Sequence, residues 1–504
     1  MEHPIPPHTV SLPPQRRPSI ANPPTPLGLQ GTHNRTYQRP NHLQIGNRWR
    51  EIQGANDWEG LLDPLDECLR TELIRYGMFA QAAYDAFDFD MWSQYCGSCR
   101  YSKENLFKEV DLHHTGYTVT MYIYATADVE VPYLLKRSER EDAWSSKSNW
   151  IGYVAVCTDE GEIKRLGRRD IMIAWRGSVT GLEWAANLEF QLTPCGLTDE
   201  SKLGLSTHIK VEAGFLSLYT SAKEDSRFNK VSAQSYLVKE IKDLVEKYKD
   251  QDELSITVCG HSLGSALATL SAYDLAESDL NQTEVGGKTV SIPITVFSFA
   301  GPRVGNSAFK ERLEAVGVKV LRVVNTHDRV PRVPGLSAFE GWLWTYSHVG
   351  VELEINDEDS QHLDQDKASI ANHHNFEVYL HLIDGYGRWD VKPPSRDPLL
   401  VNKGTGFLKE DKYVPEAWFQ PKHKGLVYSV RENRYYQPDR AIEDIPVPPK
   451  PETVAAAKAF TKSLTLKKSL EREREREKKK EKGSQPPSAE AAPLENLVHK
   501  INVI

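Results

Sequence analysis

Long apolar runs are missing from this chain of 504 residues. A helix that crosses a bilayer needs roughly 18 to 20 consecutive apolar residues, and the sequence contains no such stretch. We therefore expect no transmembrane segment. A secretory signal would begin with a basic and then an apolar stretch, and the first residues show neither.

Cysteine is also scarce, and its six residues are scattered along the chain (Cys68, Cys96, Cys99, Cys157, Cys195 and Cys259). Cys96 and Cys99 have the spacing of a metal or redox pair. However, no second cysteine pair or histidine pair follows at zinc-finger distance. This pattern favours free thiols in a reducing compartment.

Acidic residues are nearly absent from residues 1–50, where Glu2 stands alone beside six arginines and ten of the 30 prolines. Such a composition cannot bury a core and predicts a disordered leader over residues 1–45. The acidic-poor, arginine-containing start is compatible with an organelle transit peptide, although it is richer in proline than in serine.

Apolar heptads are absent from the C-terminal segment 441–504, in which Glu and Arg alternate over residues 471–477 and a lysine run follows. A coiled coil needs sustained apolar heptads. The segment is therefore predicted to be a charged tail, mostly disordered or helical.

Charge is distributed unevenly. Residues 1–50 carry a net charge of +5 and residues 451–504 carry +4. Because the whole chain carries −8, residues 51–450 carry about −17. An acidic body argues against nucleic acid as a partner. The basic ends could contact an anionic membrane surface, but solvation alone explains them about as well. The body, residues 46–440, is long enough for one extended α/β domain.

The most informative stretch is 255–270, which reads as a short apolar strand, a Gly-x-Ser-x-Gly turn and a helix of small residues. A serine hydroxyl attacks a carbonyl only if it projects into a site, and a strained strand-to-helix turn supplies that projection. Gly260 and Gly264 suit this turn because a Cβ there would collide with a neighbouring strand or helix. The pattern predicts Ser262 as the nucleophile and the Leu263 N–H as an oxyanion donor at the helix N-terminus.

Strands and helices alternate around this turn. Apolar runs predict strands at 150–156, 171–175, 292–299 and 318–324, the first two arranged as a hairpin. Helical spacing predicts helices at 70–86 and 232–249. The alternation indicates an α/β-hydrolase fold with a mostly parallel central sheet.

The strand at 171–175 runs directly into Arg176, Gly177 and Ser178. Open α/β sheets place their sites at the carboxyl ends of strands, so Ser178 could offer its N–H, and its hydroxyl, to an oxyanion. An ordinary turn serine is the alternative interpretation. The apolar and aromatic residues of 179–207 suit either a lid over an acyl site or packed core.

A serine nucleophile needs a histidine base, and the base needs a carboxylate. In α/β-hydrolases the acid follows the serine in the chain and the histidine comes last. Asp328 directly follows a predicted strand, in a loop stiffened by Pro331 and Pro334. His374 lies just before the helical run 375–382, but the adjacent His373 cannot be separated from it by spacing.

The remaining candidates for acid and base are weaker. The acidic residues Asp357, Glu358 and Asp359 lie in a charged loop that looks solvated, and His348 follows a strand start and looks structural. His373, Glu377 and His381 are four apart and would share one helix face if the helix covered all three. They do not form the His-Glu-x-x-His zinc pattern, so we expect neither a metal nor a cofactor.

These residues carry a resemblance to a known family. The superfamily motifs are Trp175-Arg176-Gly177-Ser178, Gly260-His261-Ser262-Leu263-Gly264, Gly301-Pro302-Arg303-Val304-Gly305-Asn306, Asn325-Thr326-His327-Asp328 and His374-Asn375. Together they resemble a class 3 lipase. More narrowly, residues of about 46–440 resemble the plant phospholipase A1 family that is related to the anther-dehiscence lipase. The narrower match rests on stretches such as Trp49-Arg50-Glu51-Ile52-Gln53-Gly54 and Leu382-Ile383-Asp384-Gly385-Tyr386.

The resemblance implies a triad of Ser262, Asp328 and His374, because the family's histidine is the one that precedes asparagine. It also implies hydrolysis of the sn-1 acyl ester of phospholipids, and often of galactolipids or triacylglycerols, at a membrane or lipid-aggregate surface and without a metal. The nearest subclass is usually plastid-targeted. Chloroplast localisation is therefore expected, with the cytoplasm or mitochondrion as alternatives.

This sequence departs from the family at Ser265, where the superfamily commonly has a second glycine, and in its short proline-rich leader and charged C-terminal tail. Two other functions stay open. One is a catalytically silent hydrolase fold used for signalling or binding, and the other is an esterase for a soluble ester or thioester. Neither the oligomeric state nor the head-group preference follows from the sequence.

Overall fold

The computed structural model describes residues 45–128, 138, 143–144, 148–179, 191–197, 208–339, 342–387, 396–409, 427–436 and 440–483. All of them belong to the unit Leu43–Ile504. Residues 1–44 of the predicted leader, most of the lid candidate at 179–207 and the last residues of the charged tail lie outside the described residues.

The strands are numbered in chain order. They are β1 Tyr117–Ala125, β2 Asn149–Cys157, β3 Arg169–Trp175, β4 Leu192–Pro194, β5 Lys210–Glu212, β6 Leu254–His261, β7 Gln282–Val285, β8 Lys288–Ser291, β9 Ile294–Phe299, β10 Lys319–Asn325, β11 Leu336–Phe339, β12 Trp342–Thr345, β13 Val351–Ile355, β14 Val427–Ser429 and β15 Arg434–Tyr436.

The helices of the described chain are numbered in the same way. They are α1 Trp49–Ile52, α2 Glu67–Asp85, α3 Leu106–Glu109, α4 Glu160–Leu166, α5 Ala213–Thr220, α6 Ala233–Tyr248, α7 Leu263–Glu277, α8 Ser307–Ala315, α9 Ile370–His373, α10 Phe376–His381 and α11 Pro451–Gly483.

The central sheet has the strand order β1-β2-β3-β6-β9-β10-β13. Strands β3, β6, β9, β10 and β13 pair in parallel, whereas β1 and β2 are antiparallel. The sheet is thus mostly parallel, as predicted, and the predicted hairpin is β2 and β3 with the short helix α4 between them. The parallel strands all end at one edge, which we call the carboxyl edge.

Both faces of the sheet are covered, which is why its strands read as continuous apolar runs. Alternate side chains of β3 enter opposite clusters: Met172 packs with α2 on one face, and Ile173 packs with α6 and α7 on the other. Helix α2 begins three residues before its predicted start, where the Asp66 carboxylate accepts hydrogen bonds from the N–H groups of Cys68 and Leu69.

The first part of helix α11 packs along α6. Its first turns pack on the body through Ala457, which is buried beside Val231 and Tyr236. Pro451 stands at the first helical position, where its missing N–H costs nothing. Among the helices that the structure describes, none combines the length and apolar character needed to cross a bilayer.

Candidate active site

Ser262 lies in a sharp turn at the carboxyl edge, between β6 and α7. Its backbone has φ 59° and ψ −128°, a region that costs a non-glycine residue about 1–3 kcal/mol. The flanking glycines are required as predicted. A Cβ on Gly260 would lie 2.3 Å from the carbonyl oxygen of Gly264, and one on Gly264 would lie 2.4 Å from that of Trp175. The turn therefore has the geometry of a nucleophile elbow.

Ser265 fits the elbow despite departing from the family pattern. Its hydroxyl contacts two carbonyl oxygens, those of Gly260 and Phe299 at 2.5 and 2.9 Å. Its Cβ lies so close to Gly301 that a Cβ there would approach it to 2.6 Å. The serine thus links the start of α7 to the ends of β6 and β9.

His374 and Asp328, which are 46 positions apart in the chain, meet at the carboxyl edge. The Nδ1–H of His374 donates to Oδ2 of Asp328 at 2.6 Å. The same oxygen accepts the Tyr379 hydroxyl at 2.6 Å, and Oδ1 accepts the N–H of Val330 at 2.9 Å. Asp328 is fully buried. Three donors satisfy the oxygens of this buried carboxylate and fix the imidazole that it holds.

The second imidazole nitrogen of His374, Nε2, is buried and has no hydrogen-bond partner within the described part of the chain. His261, the residue before Ser262, holds His374 in position. The Nε2–H of His261 donates to the backbone carbonyl of His374 at 3.0 Å. The two rings lie 4.6 Å apart between centroids. The base is therefore anchored to the turn that carries the serine.

His261 itself is neutral. Burial, and secondarily the nearby His374, hold its pKa well below the ordinary value. Because Nε2–H donates to a carbonyl, Nδ1 carries the lone pair and accepts the Tyr84 hydroxyl at 2.8 Å. Phe376 stacks on the ring with centroids 4.6 Å apart. A neutral, packed His261 positions the base without competing for its proton.

The turn at residues 176–178 approaches the elbow from the neighbouring strand β3. A Cβ on Gly177 would lie 2.0 Å from the Tyr84 hydroxyl and 2.5 Å from the His261 carbonyl oxygen. In the described chain, the buried Ser178 hydroxyl has no partner. The N–H of Leu263, the first residue of α7, also donates to no described group. The Leu263 N–H and the Ser178 hydroxyl therefore have no competing partner among the described residues, and their role as oxyanion donors stays a prediction.

Arg176 supports this turn from behind. It is fully buried, and its guanidinium donates to the carbonyl oxygens of Trp150 and Gly177 at 3.1 and 2.7 Å. It also lies 3.8 Å from the Phe87 ring centroid. Burial lowers the pKa of Arg176 to about 10.

The interpretation of Asp357 as a solvated residue is wrong. Asp357 lies two residues beyond β13 and is fully buried. Oδ1 accepts the Nδ1–H of His327 at 2.6 Å, and Oδ2 accepts the Asn325 side-chain amide at 2.9 Å and the Nδ1–H of His373. Adjacent charged residues hid this burial in the sequence. His373, which spacing could not separate from His374, therefore contacts a different carboxylate.

His327, Asp357 and His373 form a cluster whose ligand atoms lie within 4.8 Å of one another. It is a hydrogen-bonded cluster of the kind that could hold a metal ion. The set His373, Glu377 and His381, which the sequence did not favour as a metal site, is not brought together on one helix face. Instead, the imidazole of His381 bonds the Ser360 hydroxyl at 2.8 Å, and Glu377 forms an ion pair with Arg396. Burial lowers the pKa of His381 to about 3.

His348 behaves as the sequence indicated. His348 accepts a hydrogen bond from Nε of Arg303 at 3.0 Å, and burial lowers its pKa to about 4. This is a structural role. All six cysteines are buried.

Sequence reasoning missed three residues that hold the site together. Tyr379 and Tyr84 belong to apolar helix faces, where a tyrosine reads as core, and nothing in the spacing reveals the target of its hydroxyl. Asp357 did carry a signal, because it follows a strand at the carboxyl edge just as Asp328 does.

A serine elbow at the carboxyl edge of a mostly parallel sheet defines an α/β-hydrolase. Residues 172–338 match the family described as Lipase (class 3). Two Arabidopsis thaliana relatives cover most of the chain. Phospholipase A1-Igamma3, chloroplastic, is 46% identical over 81% of this chain and 79% of its own. Phospholipase A1-Igamma1, chloroplastic, is 47% identical over 80% of each. A third from the same plant, Galactolipase DONGLE, chloroplastic, is 43% identical over 68% of this chain and 71% of its own. The chain belongs to the plant phospholipase A1 family of class 3 lipases.

Proposed function

We propose that the protein hydrolyses the sn-1 acyl ester of glycerophospholipids, and also acts on galactolipids and triacylglycerols. The observation that carries the proposal is the 2.6 Å bond between His374 and Asp328, anchored through His261 to the elbow of Ser262. The relatives named phospholipase A1 and galactolipase support the substrate class. Their chloroplastic names support a chloroplast location.

The first half of the reaction acylates the enzyme. His374 Nε2 accepts the proton of the Ser262 hydroxyl as the oxygen attacks the ester carbonyl. Asp328 holds the imidazole in the tautomer with the proton on Nδ1 and stabilises the imidazolium that forms. The imidazolium then returns the proton to the departing lysolipid oxygen, which leaves the fatty acyl chain on Ser262.

The second half regenerates the enzyme. His374 accepts a proton from water as the water oxygen attacks the acyl-serine carbonyl. The imidazolium then returns this proton to the Ser262 oxygen as the acyl–oxygen bond breaks, and the free fatty acid departs. In both halves the developing oxyanion lies near the N-terminus of α7, where the N–H groups of Leu263 and Ser178 and the Ser178 hydroxyl can donate to it. Because Ser262 supplies the nucleophile, His374 transfers the proton, and N–H and hydroxyl donors stabilise the oxyanion, the reaction needs neither a metal nor a cofactor.

The substrate reaches the enzyme as part of a membrane or lipid-aggregate surface, so such a surface is its principal partner. The proposal is tested with phosphatidylcholine vesicles labelled separately at the sn-1 and sn-2 chains. Wild type is expected to release the sn-1 label, and the Ser262→Ala protein to release neither. Preferential release of the sn-2 label would reject the positional assignment. Equal release by wild type and Ser262→Ala would reject the mechanism.

A further inference from the structure

Three large apolar side chains are exposed within four residues of one loop, 88–98. Trp92 is 66% exposed, Met91 41% and Phe89 36%. Scattered apolar residues on a surface are ordinary, but a contiguous group marks an interaction site. The proposed reaction does not use these side chains.

Hydrogen bonds hold the base of the loop 88–98 in place, and we call this loop the platform. Its base is closed by backbone bonds between Asp88 and Ser98 and between Gly97 and Asp88, at 2.9 and 2.7 Å. The Asp88 carboxylate accepts the Ser93 hydroxyl and the Arg440 guanidinium, both at 2.8 Å. Asp88, Ser93 and Ser98 are buried, so the apolar side chains project from a fixed base.

The platform lies at the carboxyl edge, next to the oxyanion side of the site. The Gly97 carbonyl accepts the N–H of Trp150 at 2.7 Å, at the end of β2 that pairs with the carboxyl end of β3. The Phe87 ring at its start contacts Arg176, in the turn that carries Ser178.

A fourth exposed apolar residue, Ile370, lies on the other side of the site, near His374. Ile370 is 48% exposed and begins α9, and its carbonyl accepts the N–H of His374 at 3.1 Å. In the strand order, the loop lies near β2 and β3, whereas α9 reaches the end of β10 through the bond from Asn325 to the His373 carbonyl at 3.0 Å. Exposed apolar groups therefore flank the elbow of β6 from both sides.

We propose that the loop 88–98, with Ile370 opposite, is the surface by which the protein docks onto a lipid bilayer with its carboxyl edge facing the lipid. This rests on the proposed function, because a lipid surface is the occupant that presents the substrate. Moving tryptophan, methionine and phenylalanine side chains from water into the headgroup and acyl boundary lowers the free energy. The apolar side chains supply this binding, since the loop itself contains Asp88 and Asp90 and the body is acidic. The loop should therefore bind zwitterionic and uncharged lipid surfaces.

The chain offers a matched control. The hairpin β7–β8 exposes Val285 and Val290 to 37% and 44%, similar to Met91. It immediately precedes the start of β9 and therefore lies at the opposite, amino edge of the sheet. Apolar insertion through the carboxyl edge would leave this hairpin in water.

The test measures binding separately from catalysis. In a Ser262→Ala background, flotation with phosphatidylcholine vesicles compares Met91→Ser/Trp92→Ser with Val285→Ser/Val290→Ser. The loop variant is expected to bind about tenfold more weakly or worse, while the hairpin variant binds as the background does. With Ser262 intact, the loop variant should keep its rate on a short-chain soluble ester and lose vesicle hydrolysis.

Unchanged vesicle binding by the loop variant would overturn the proposal, as would an equal loss by the hairpin variant. Loss of the soluble-ester rate together with binding would also overturn it, because the loop would then support the site itself. The proposed function fails separately. In that case, the Ser262-intact protein would not hydrolyse phospholipid, while vesicle binding through the loop would persist.

Discussion

Replacement of Asp357 by asparagine should loosen both loops that carry the proposed acid and base. Asp357 is buried and accepts hydrogen bonds from His327, His373 and Asn325. His327 precedes Asp328 and His373 precedes His374, so one carboxylate joins the two loops. Asparagine keeps the shape but loses the charge and one acceptor oxygen.

The magnitude follows from the number and exposure of the lost bonds. A hydrogen bond to a charged group contributes about 1.5–3 kcal/mol. Two imidazoles bond the carboxylate, but the His327 side chain is 36% exposed, so its share is discounted. We expect Asp357→Asn to reduce the free energy of unfolding by about 2–4 kcal/mol. A displaced base should lower kcat by about 10- to 100-fold.

The effect should depend on pH. Burial alone would raise the pKa of Asp357, but hydrogen bonds from Asn325, His373 and His327 outweigh it and hold the pKa below its ordinary value. A depressed carboxyl pKa contributes stability that is fully present above about pH 4 and is lost as the pH falls further. The difference in stability between wild type and Asp357→Asn should therefore be largest near neutral pH and shrink below pH 4.

The assay is a set of melting curves and kcat measurements from pH 7 downwards, on phospholipid substrate. Glu358→Gln is the matched control, because this exposed neighbour faces the same His327 across 3.4 Å. It should alter stability by no more than about 0.5 kcal/mol. Wild-type stability and kcat in Asp357→Asn, or an equal effect of Glu358→Gln, would refute the reasoning.

Four other substitutions, at three positions, probe the site. Tyr379→Phe removes a donor to Asp328 and should lower kcat about tenfold with little change in KM; an unchanged kcat would show that this hydroxyl is dispensable. Gly177→Ala should lower both the melting temperature and kcat, because its Cβ would lie 2.0 Å from the Tyr84 hydroxyl. Values equal to those of wild type would contradict this close packing. Ser178→Ala should lower kcat by about 100-fold if its hydroxyl donates to the oxyanion, while Ser178→Thr retains most of the rate; equal rates for the two variants would reject that donor.

The sequence predicted the elbow and the sheet because these depend on local constraints. Gly260 and Gly264 are demanded by contacts within a few residues of Ser262, and apolar runs identify strands covered on both faces. Hydrogen-bond partners were harder to predict, because they depend on approaches between distant segments. Nothing near Tyr84 in the chain indicates that its hydroxyl meets His261, 177 positions away.

The two histidine–carboxylate pairs show the same limit. Spacing could not separate His373 from His374, because adjacent residues differ only in the direction that their side chains take from one turn of helix. The structure gives His374 the carboxylate of Asp328 and His373 that of Asp357. The resemblance to the family had selected His374, using information that spacing alone does not contain.

The most direct test of the central claim is labelling with a lipid-like fluorophosphonate, followed by mass spectrometry of the peptides. The account predicts one phosphonyl adduct, on Ser262, whose formation parallels the loss of phospholipid hydrolysis and is greatly slowed in His374→Ala. An adduct on another residue that inactivates the enzyme, or full hydrolysis by a protein labelled at Ser262, would contradict it.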